Sequence, residues 1–432
     1  MNDRGVCLLN DSFPPQIDGV ANTVVNYARV LEADGARPFV LTPKYPGADD
    51  SGYPYPVIRY PGLDTRKRLG YVSGYPFSAK VAQRLSNENI NIIHSHCPFA
   101  STVLARSLRE IIPAPLVFTY HTKFDFDIRK MVKNRLIQDS AVKLLESNIK
   151  ACDEVWVVSN GAGENMRELV GYEGEYVVMD NGVDMPKGRL SEEEYMRLTS
   201  DVDIPKGVPV YLFVGRMMWY KNVRMIIEAM EGIKSQGRDF RMVFIGGGKD
   251  LDEMKALAEQ LRVTDKVLFL GRIGDREKLR AWYCRADLMI FPSTYDTNGL
   301  VVREAAACSL PAVLVGGSCA AEGTTADRNS FIVSETSASL AALLMRMGDN
   351  IPFMKKVGEN AANELYISWD EAVRKAEERY EIVIDNYWSG KYKKKRTISR
   401  EYIKFSAELM DTIGSIYGAV KNLRHDDKGE TD

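Results

Sequence analysis

No stretch of this sequence stays apolar for the roughly 20 residues that a membrane-crossing helix needs. Its start, Met1 to Pro15, holds only the short apolar run Val6–Leu9, far below the core of a signal peptide. Cysteine is sparse and scattered: Cys7, Cys97, Cys152, Cys284, Cys308 and Cys319 form no C-x-x-C pair and no zinc-type spacing. That disfavours a disulfide framework and a structural metal and fits a reducing compartment. Neither sign of charge is in excess, with 57 Lys and Arg against 59 Asp and Glu. The chain as a whole therefore does not attract nucleic acid, and any anionic partner has to be met by a local patch. Internal repeats are absent, and low complexity is confined to Lys391–Arg396. The expected location is cytoplasmic, or on a membrane without crossing it.

At 432 residues the chain exceeds one ordinary domain, and its 45% hydrophobic and 27% charged residues suit globular cores. Short apolar runs bounded by Gly, Pro or Asn alternate with amphipathic stretches of helical length, the rhythm of parallel β/α units. Strands are predicted at Val6–Leu9, Phe39–Thr42, Ile92–His94, Leu116–Tyr120, Val155–Val158 and Tyr176–Met179, with a helix over Asn22–Asp34. After the polar stretch Met185–Gly207 the rhythm restarts, with strands at Val210–Val214, Met242–Ile245, Val267–Leu270, Leu288–Phe291 and Ala312–Val315. The fold class expected is α/β, two Rossmann-like doubly wound domains with a ligand cleft between them. In such sheets ligands sit beyond the carboxyl ends of the strands, so residues just after strands are the functional candidates.

Four groups of residues meet that condition. Asp11–Val20 leads from the first strand into a helix, where Gly19 lets the backbone approach a phosphate; there is no G-x-G-x-x-G, and an ordinary βα loop would look the same. Arg216 and Lys221 follow the first strand of the second half, a forked guanidinium and a point charge suited to a diphosphate, or else two solvated loop cations. Pro292–Ala305 is the most specific: Asn298, Gly299 and Leu300 stand at a helix start whose amides can face a phosphate, bracketed by Asp296 and Glu304. Glu304 falls near the apolar side of that helix, so it needs hydroxyl partners; the bland reading is a capping acid plus a surface Glu. Finally His94, His96 and His121 lie at the ends of two strands; His121 is the choice for the ligand and His94 reads as structural support.

Taken together, these residues resemble the retaining GT-B glycosyltransferases with an E-x7-E motif, glycosyltransferase family 4. The resemblance runs from about Leu8 to about Tyr380 in motif order and includes Asn181–Asp184, Gly246–Gly248 and Ser368-Trp369. The strings around Asp11–Val20, Thr119–Thr122 and Pro292–Ala305 are most similar to bacterial diacylglycerol glucosyltransferases, with phosphatidylinositol mannosyltransferases more distant. The resemblance implies an acceptor-side domain over 1–190, a nucleotide-sugar domain over 205–370, a helix over 371–388 returning to the first domain, and a basic, amphipathic tail over 389–432. It implies that Arg216 and Lys221 hold the donor diphosphate and that Glu304 accepts from the ribose hydroxyls. Asp296 would contact the transferred sugar, Gly19 and the amides of Asn298, Gly299 and Leu300 would complete the phosphate cradle, and His121 would face the reacting centre. Two residues depart from the pattern: Asp296 stands where the family usually has Glu, and Tyr220 replaces an acidic residue often found before the Lys.

The function so implied is transfer of a hexose, glucose from UDP-glucose, to diacylglycerol or a glycolipid with retention of configuration and without a cofactor or metal. Rival readings are transfer to a soluble or polyprenyl-linked glycan, a nucleotide-sugar epimerase, and a non-catalytic nucleotide-sugar-binding subunit. A lipid acceptor requires a visit to the inner face of the membrane. Arg129, Lys130, Lys133 and Arg135 beside Ile128, Met131, Val132, Leu136 and Ile137 would supply an anionic-surface contact, as would the tail from Lys391; domain packing is the alternative for both.

Overall fold

In a computed structural model of the protein, residues 2–16, 18–66, 71–124, 135–348 and 350–392 are described. The membrane-contact candidates Arg129, Lys130 and Lys133, and the tail from residue 393, lie outside the described residues.

Most of the apolar runs form strands buried on both faces, whereas Val177–Val178 and Val267–Gly271 at the sheet edges are only partly covered. The first half holds β1 (Gly5–Leu9), β2 (Arg37–Pro43), β3 (Val57–Tyr60), a small hairpin of β4 (Gly62–Leu63) and β5 (Ser73–Gly74), β6 (Ile90–Ser95), β7 (Leu116–Tyr120), β8 (Glu154–Val157) and β9 (Val177–Val178). Seven of them make one parallel sheet in the order β3-β2-β1-β6-β7-β8-β9. The second half repeats the plan with β10 (Val210–Val214), β11 (Arg241–Ile245), β12 (Val267–Gly271), β13 (Leu288–Phe291), β14 (Ala312–Val315) and β15 (Phe331–Val333). Its order is β12-β11-β10-β13-β14-β15. In both sheets the chain winds outward one way, returns to the centre and winds out the other way. The reversal leaves a crevice between β1 and β6 and another between β10 and β13, where loops diverge and ligands of doubly wound folds sit.

Three of the elements depart from expectation. The first helix spans Gly19–Ala33, three residues earlier than predicted, because the Asp18 carboxylate caps it by accepting from the amides of Val20 at 2.9 Å and Ala21 at 2.8 Å. The edge strands β3 and β15 were not predicted; each is short, and β3 carries Arg59 between flanking prolines.

The helix Trp369–Trp388 leaves the second domain and packs on the first. Its apolar residues recur at three- and four-residue intervals, Trp369, Ala372, Val373, Ala376, Tyr380, Val383 and Ile384, and share a core with Val6, Leu8, Val24, Tyr27 and Trp156. Tyr380 stacks on Trp156 at 5.2 Å, and Arg379 grips Glu154 with two bonds of 2.8 and 2.7 Å. This return ties the two domains together.

Candidate functional site

The two crevices face one another across a cleft of about 640 Å³. Its first-domain wall is Asp18, Gly19, Val20, His121, Thr122, Lys123 and Asn181; its second-domain wall includes Arg216, Tyr220, Lys221, Tyr295 and the run Asp296–Val301. Of the donor-side candidates, Gly19, His121, Arg216, Lys221, Asp296, Asn298, Gly299 and Leu300 therefore converge, while Glu304 is not part of this lining.

Arg216 follows β10, where the loop is held by a close approach of backbones. A Cβ on Gly246, at φ +142°, would lie 1.8 Å from the Gly215 carbonyl oxygen, so only glycine fits after β11. The exposed Arg216 guanidinium has no ion-pair partner among the described residues and sits 5.8 Å from the Tyr220 ring. Lys221 differs from the flexible loop cation expected. It closes a short 3-10 turn, is buried, and donates from Nζ to Asp296 Oδ1. Burial holds the Lys221 ammonium below its ordinary range, and the Asp296 charge opposes that shift. The second carboxylate oxygen, Asp296 Oδ2, is buried with no hydrogen-bond partner among the described residues. A buried acceptor left bare is costly, and a hydroxyl donor from a ligand would satisfy it.

The helix Leu300–Ala307 begins at Gly299, whose φ is +65° and where an added Cβ would lie 2.9 Å from Ala320 Cβ, so a side chain is disfavoured there. Among the described residues no side chain caps its N-terminal amides, so the positive end of its dipole is open to an anion. The opposite holds at Gly19: Asp18 already takes two amides of that helix, which narrows the expected cradle there to the Gly19 amide and the open space beside it.

Asn298 uses its side chain for a purpose the sequence did not disclose, donating to the Val158 carbonyl across the cleft at 2.6 Å. Thr297 Oγ1 donates to the His121 carbonyl at 2.6 Å, Ser159 Oγ to the Thr297 carbonyl at 2.5 Å, and Lys123 Nζ to the Thr294 carbonyl at 3.2 Å. These bonds fasten the Asp296 loop to the ends of β7 and β8. Glu304 meets the requirement for partners within the protein, accepting from Tyr283 Oη at 2.9 Å and from Arg276 at 3.1 Å.

His94 is buried with both nitrogens engaged, Nδ1 with Tyr380 Oη at 2.5 Å and Nε2 with Thr119 Oγ1 at 2.7 Å. His121 lines the cleft, and burial pushes its imidazole down to about 3, so it is neutral. Residues that sequence reasoning passed over are Asp18, Thr122, Lys123 and Tyr295; their one shared signal is a position just after a strand or before a helix.

Two doubly wound domains facing a cleft that joins cations, an uncapped helix start and an unsatisfied carboxylate oxygen define a GT-B transferase acting on a nucleotide sugar. Residues 17–186 match the family model Glycosyltransferase Family 4, and residues 197–364 match Glycosyl transferases group 1. The chain belongs to this glycosyltransferase family and is a hexosyltransferase that transfers sugar from a nucleotide sugar.

Among curated relatives, the chain is 25% identical over 321 residues to the alpha-monoglucosyldiacylglycerol synthase of Streptococcus pneumoniae, covering 72% of this chain and 70% of that protein. It is also 26% identical over 275 residues to the D-inositol 3-phosphate glycosyltransferase of Xylanimonas cellulosilytica, covering 61% and 65%. Among solved structures it is similar to Anabaena HepE in complex with UDP and glucose, with a TM-score of 0.68, 19% identity and coverage of 87% of this chain and 99% of that one. Among the described residues, no helix is long and apolar enough to cross a membrane.

Proposed function

We propose that the protein is a retaining glucosyltransferase that moves glucose from UDP-glucose to a hydroxyl of diacylglycerol or a glycolipid at the inner membrane face. The observation that carries the donor half is the meeting, in one cleft, of the Arg216 guanidinium, which has no ion-pair partner among the described residues, with the helix start at Gly299, which no described side chain caps. In this reading Arg216, Lys221 and the amides of Asn298, Gly299 and Leu300 hold the diphosphate, with Gly19 leaving room on the far wall. Asp296 Oδ2 takes a sugar hydroxyl, His121 faces the reacting carbon, and Glu304 holds the ribose in exchange for its contact with Tyr283. The first domain, 1–190, serves the acceptor and the second, 205–370, the donor; the helix over 371–388 joins them, and the tail over 389–432 is a membrane contact.

Departure of the nucleoside diphosphate breaks the bond from C1 to the phosphate oxygen, and fixed cations and amides stabilise the charge that develops. The acceptor oxygen bonds to C1 on the same face, and its proton passes to the leaving phosphate oxygen, so no metal is invoked. The lipid acceptor is supported by the name of the streptococcal relative. The name of the Xylanimonas relative favours a second reading, a soluble cyclitol phosphate as acceptor.

The test is radiolabelled transfer from UDP-glucose to mixed vesicles carrying diacylglycerol, in parallel with soluble inositol phosphate. Label extracted into organic solvent supports the first reading. Label confined to the aqueous phase moves the acceptor to the second, and no transfer from any of several nucleotide sugars overturns both.

A further inference from the structure

We infer that His96 fixes the proton of His121 on Nδ1, so that His121 meets the bound substrate as a hydrogen-bond donor. The role rests on the transferase reading above; the placement of the proton does not.

His96 follows β6 and His121 follows β7, neighbouring strands at the centre of the first sheet. His96 Nδ1 lies 3.0 Å from His121 Nε2, with the ring planes 25° apart. Burial holds both imidazoles neutral. Two neutral imidazoles sharing one bond need one donor and one acceptor, and each ring carries a single proton.

The free nitrogen of His96 decides between the two arrangements. His96 Nε2 is buried with no hydrogen-bond partner among the described residues; around its ring stand Tyr27 at 5.3 Å and His94 at 4.0 Å. If His121 donated, the His96 proton would sit on that orphaned Nε2, an N–H stripped of water with nothing to accept it. If His96 donates from Nδ1, the orphan is only a lone pair. Buried donors without acceptors are the rarer and costlier defect. His96 therefore donates, and the His121 proton resides on Nδ1. That atom is not among the buried unpartnered ones, and His121 lines the cleft. His94 does not compete, since Tyr380 and Thr119 occupy both its nitrogens.

His121 so held offers an N–H to a sugar or acceptor oxygen and cannot take the acceptor's proton at the same nitrogen. His96 never touches the substrate and is a positioning residue.

The chain has only four histidines, so labelling histidine nitrogens and recording long-range proton–nitrogen spectra resolves each ring. The wild type should show His121 protonated on Nδ1 and a nitrogen–nitrogen coupling from His96 Nδ1 to His121 Nε2. His96→Phe keeps an aromatic ring but no donor; the His121 Nε2 resonance should move to that of an unbonded nitrogen, and kcat should fall about tenfold with little change in KM. His96→Asn puts an amide donor near the lost Nδ1 and should recover most of the rate. A wild-type His121 protonated on Nε2 overturns the inference, and this reading does not depend on His96→Phe folding. A His96→Phe protein with unchanged His121 resonances overturns the role of His96. If the wild type transfers no sugar, the transferase reading fails while the spectra still report the tautomer.

Discussion

The Lys221–Asp296 pair gives the sharpest test of the site, because it couples stability to activity in a way two variants can separate. Lys221 exposes 7% of its side chain and Asp296 23%, so both charges are largely out of water. Removing one partner of a buried pair costs about 3–5 kcal/mol; allowing for the partial exposure of Asp296, Lys221→Met should cost about 2–3 kcal/mol. For a domain of this size that lowers Tm by roughly 5–10 °C. Adding Asp296→Asn removes the stranded charge, so the double variant should regain most of that Tm. Turnover should behave differently. If Lys221 also holds the donor diphosphate, as proposed, the single and double variants should both lose at least ~10²-fold in kcat. Differential scanning calorimetry and initial rates with saturating donor measure the two quantities on the same samples. A single variant with wild-type Tm would show that Asp296 does not need its counterion. A double variant with near wild-type turnover would remove Lys221 from the diphosphate.

The other expectations are more local. A Cβ on Gly19 would meet nothing within 4 Å, and alanine is the better helix former, so Gly19→Ala should leave Tm unchanged or slightly raised; if the proposed ligand fills that space, turnover should fall about tenfold. A fall in Tm instead would mean the glycine is structural. Burial and the neighbouring Asp34 charge push the Glu377 carboxyl from 4.5 up to about 7. The fold therefore binds that proton more tightly than the unfolded chain; the contribution is complete below about pH 4.5 and is lost as pH rises through about 7. Glu377→Gln should match the wild type in acid and exceed its Tm above about pH 7, and parallel pH–Tm curves would refute the shift. Glu304→Ala should lower turnover at least ~10²-fold while Glu304→Gln, which still accepts from Tyr283, keeps the Tm of the wild type; a fully active Glu304→Ala would take the residue out of the site. Reversal of Arg129, Lys130 and Lys133 to Glu should abolish sedimentation with anionic vesicles, since each cation contributes about 1 kcal/mol at a charged surface. Equal binding to neutral and anionic vesicles would exclude the electrostatic mechanism.

The sequence by itself determined the tandem β/α plan. The runs Leu116–Tyr120, Val210–Val214, Leu288–Phe291 and Ala312–Val315 are strands over those same residues, because a strand buried on both faces must be apolar at nearly every position. It also determined where to look for chemistry, since loops after parallel strands are the places a doubly wound sheet leaves open, and Gly19, His121, Arg216, Lys221 and the Asp296–Leu300 run all reach the cleft. Only the tertiary structure decided what each polar group touches. Periodicity reports that a side chain is buried, but its partner is set by strand order and domain docking, which bring together residues far apart in the chain. Thus Lys221 came to rest on Asp296, Asn298 turned its amide to Val158, and Glu304 found Tyr283. The same long-range packing left His96 a single productive partner, His121, because the shell around its other nitrogen holds nothing that accepts a proton among the described residues.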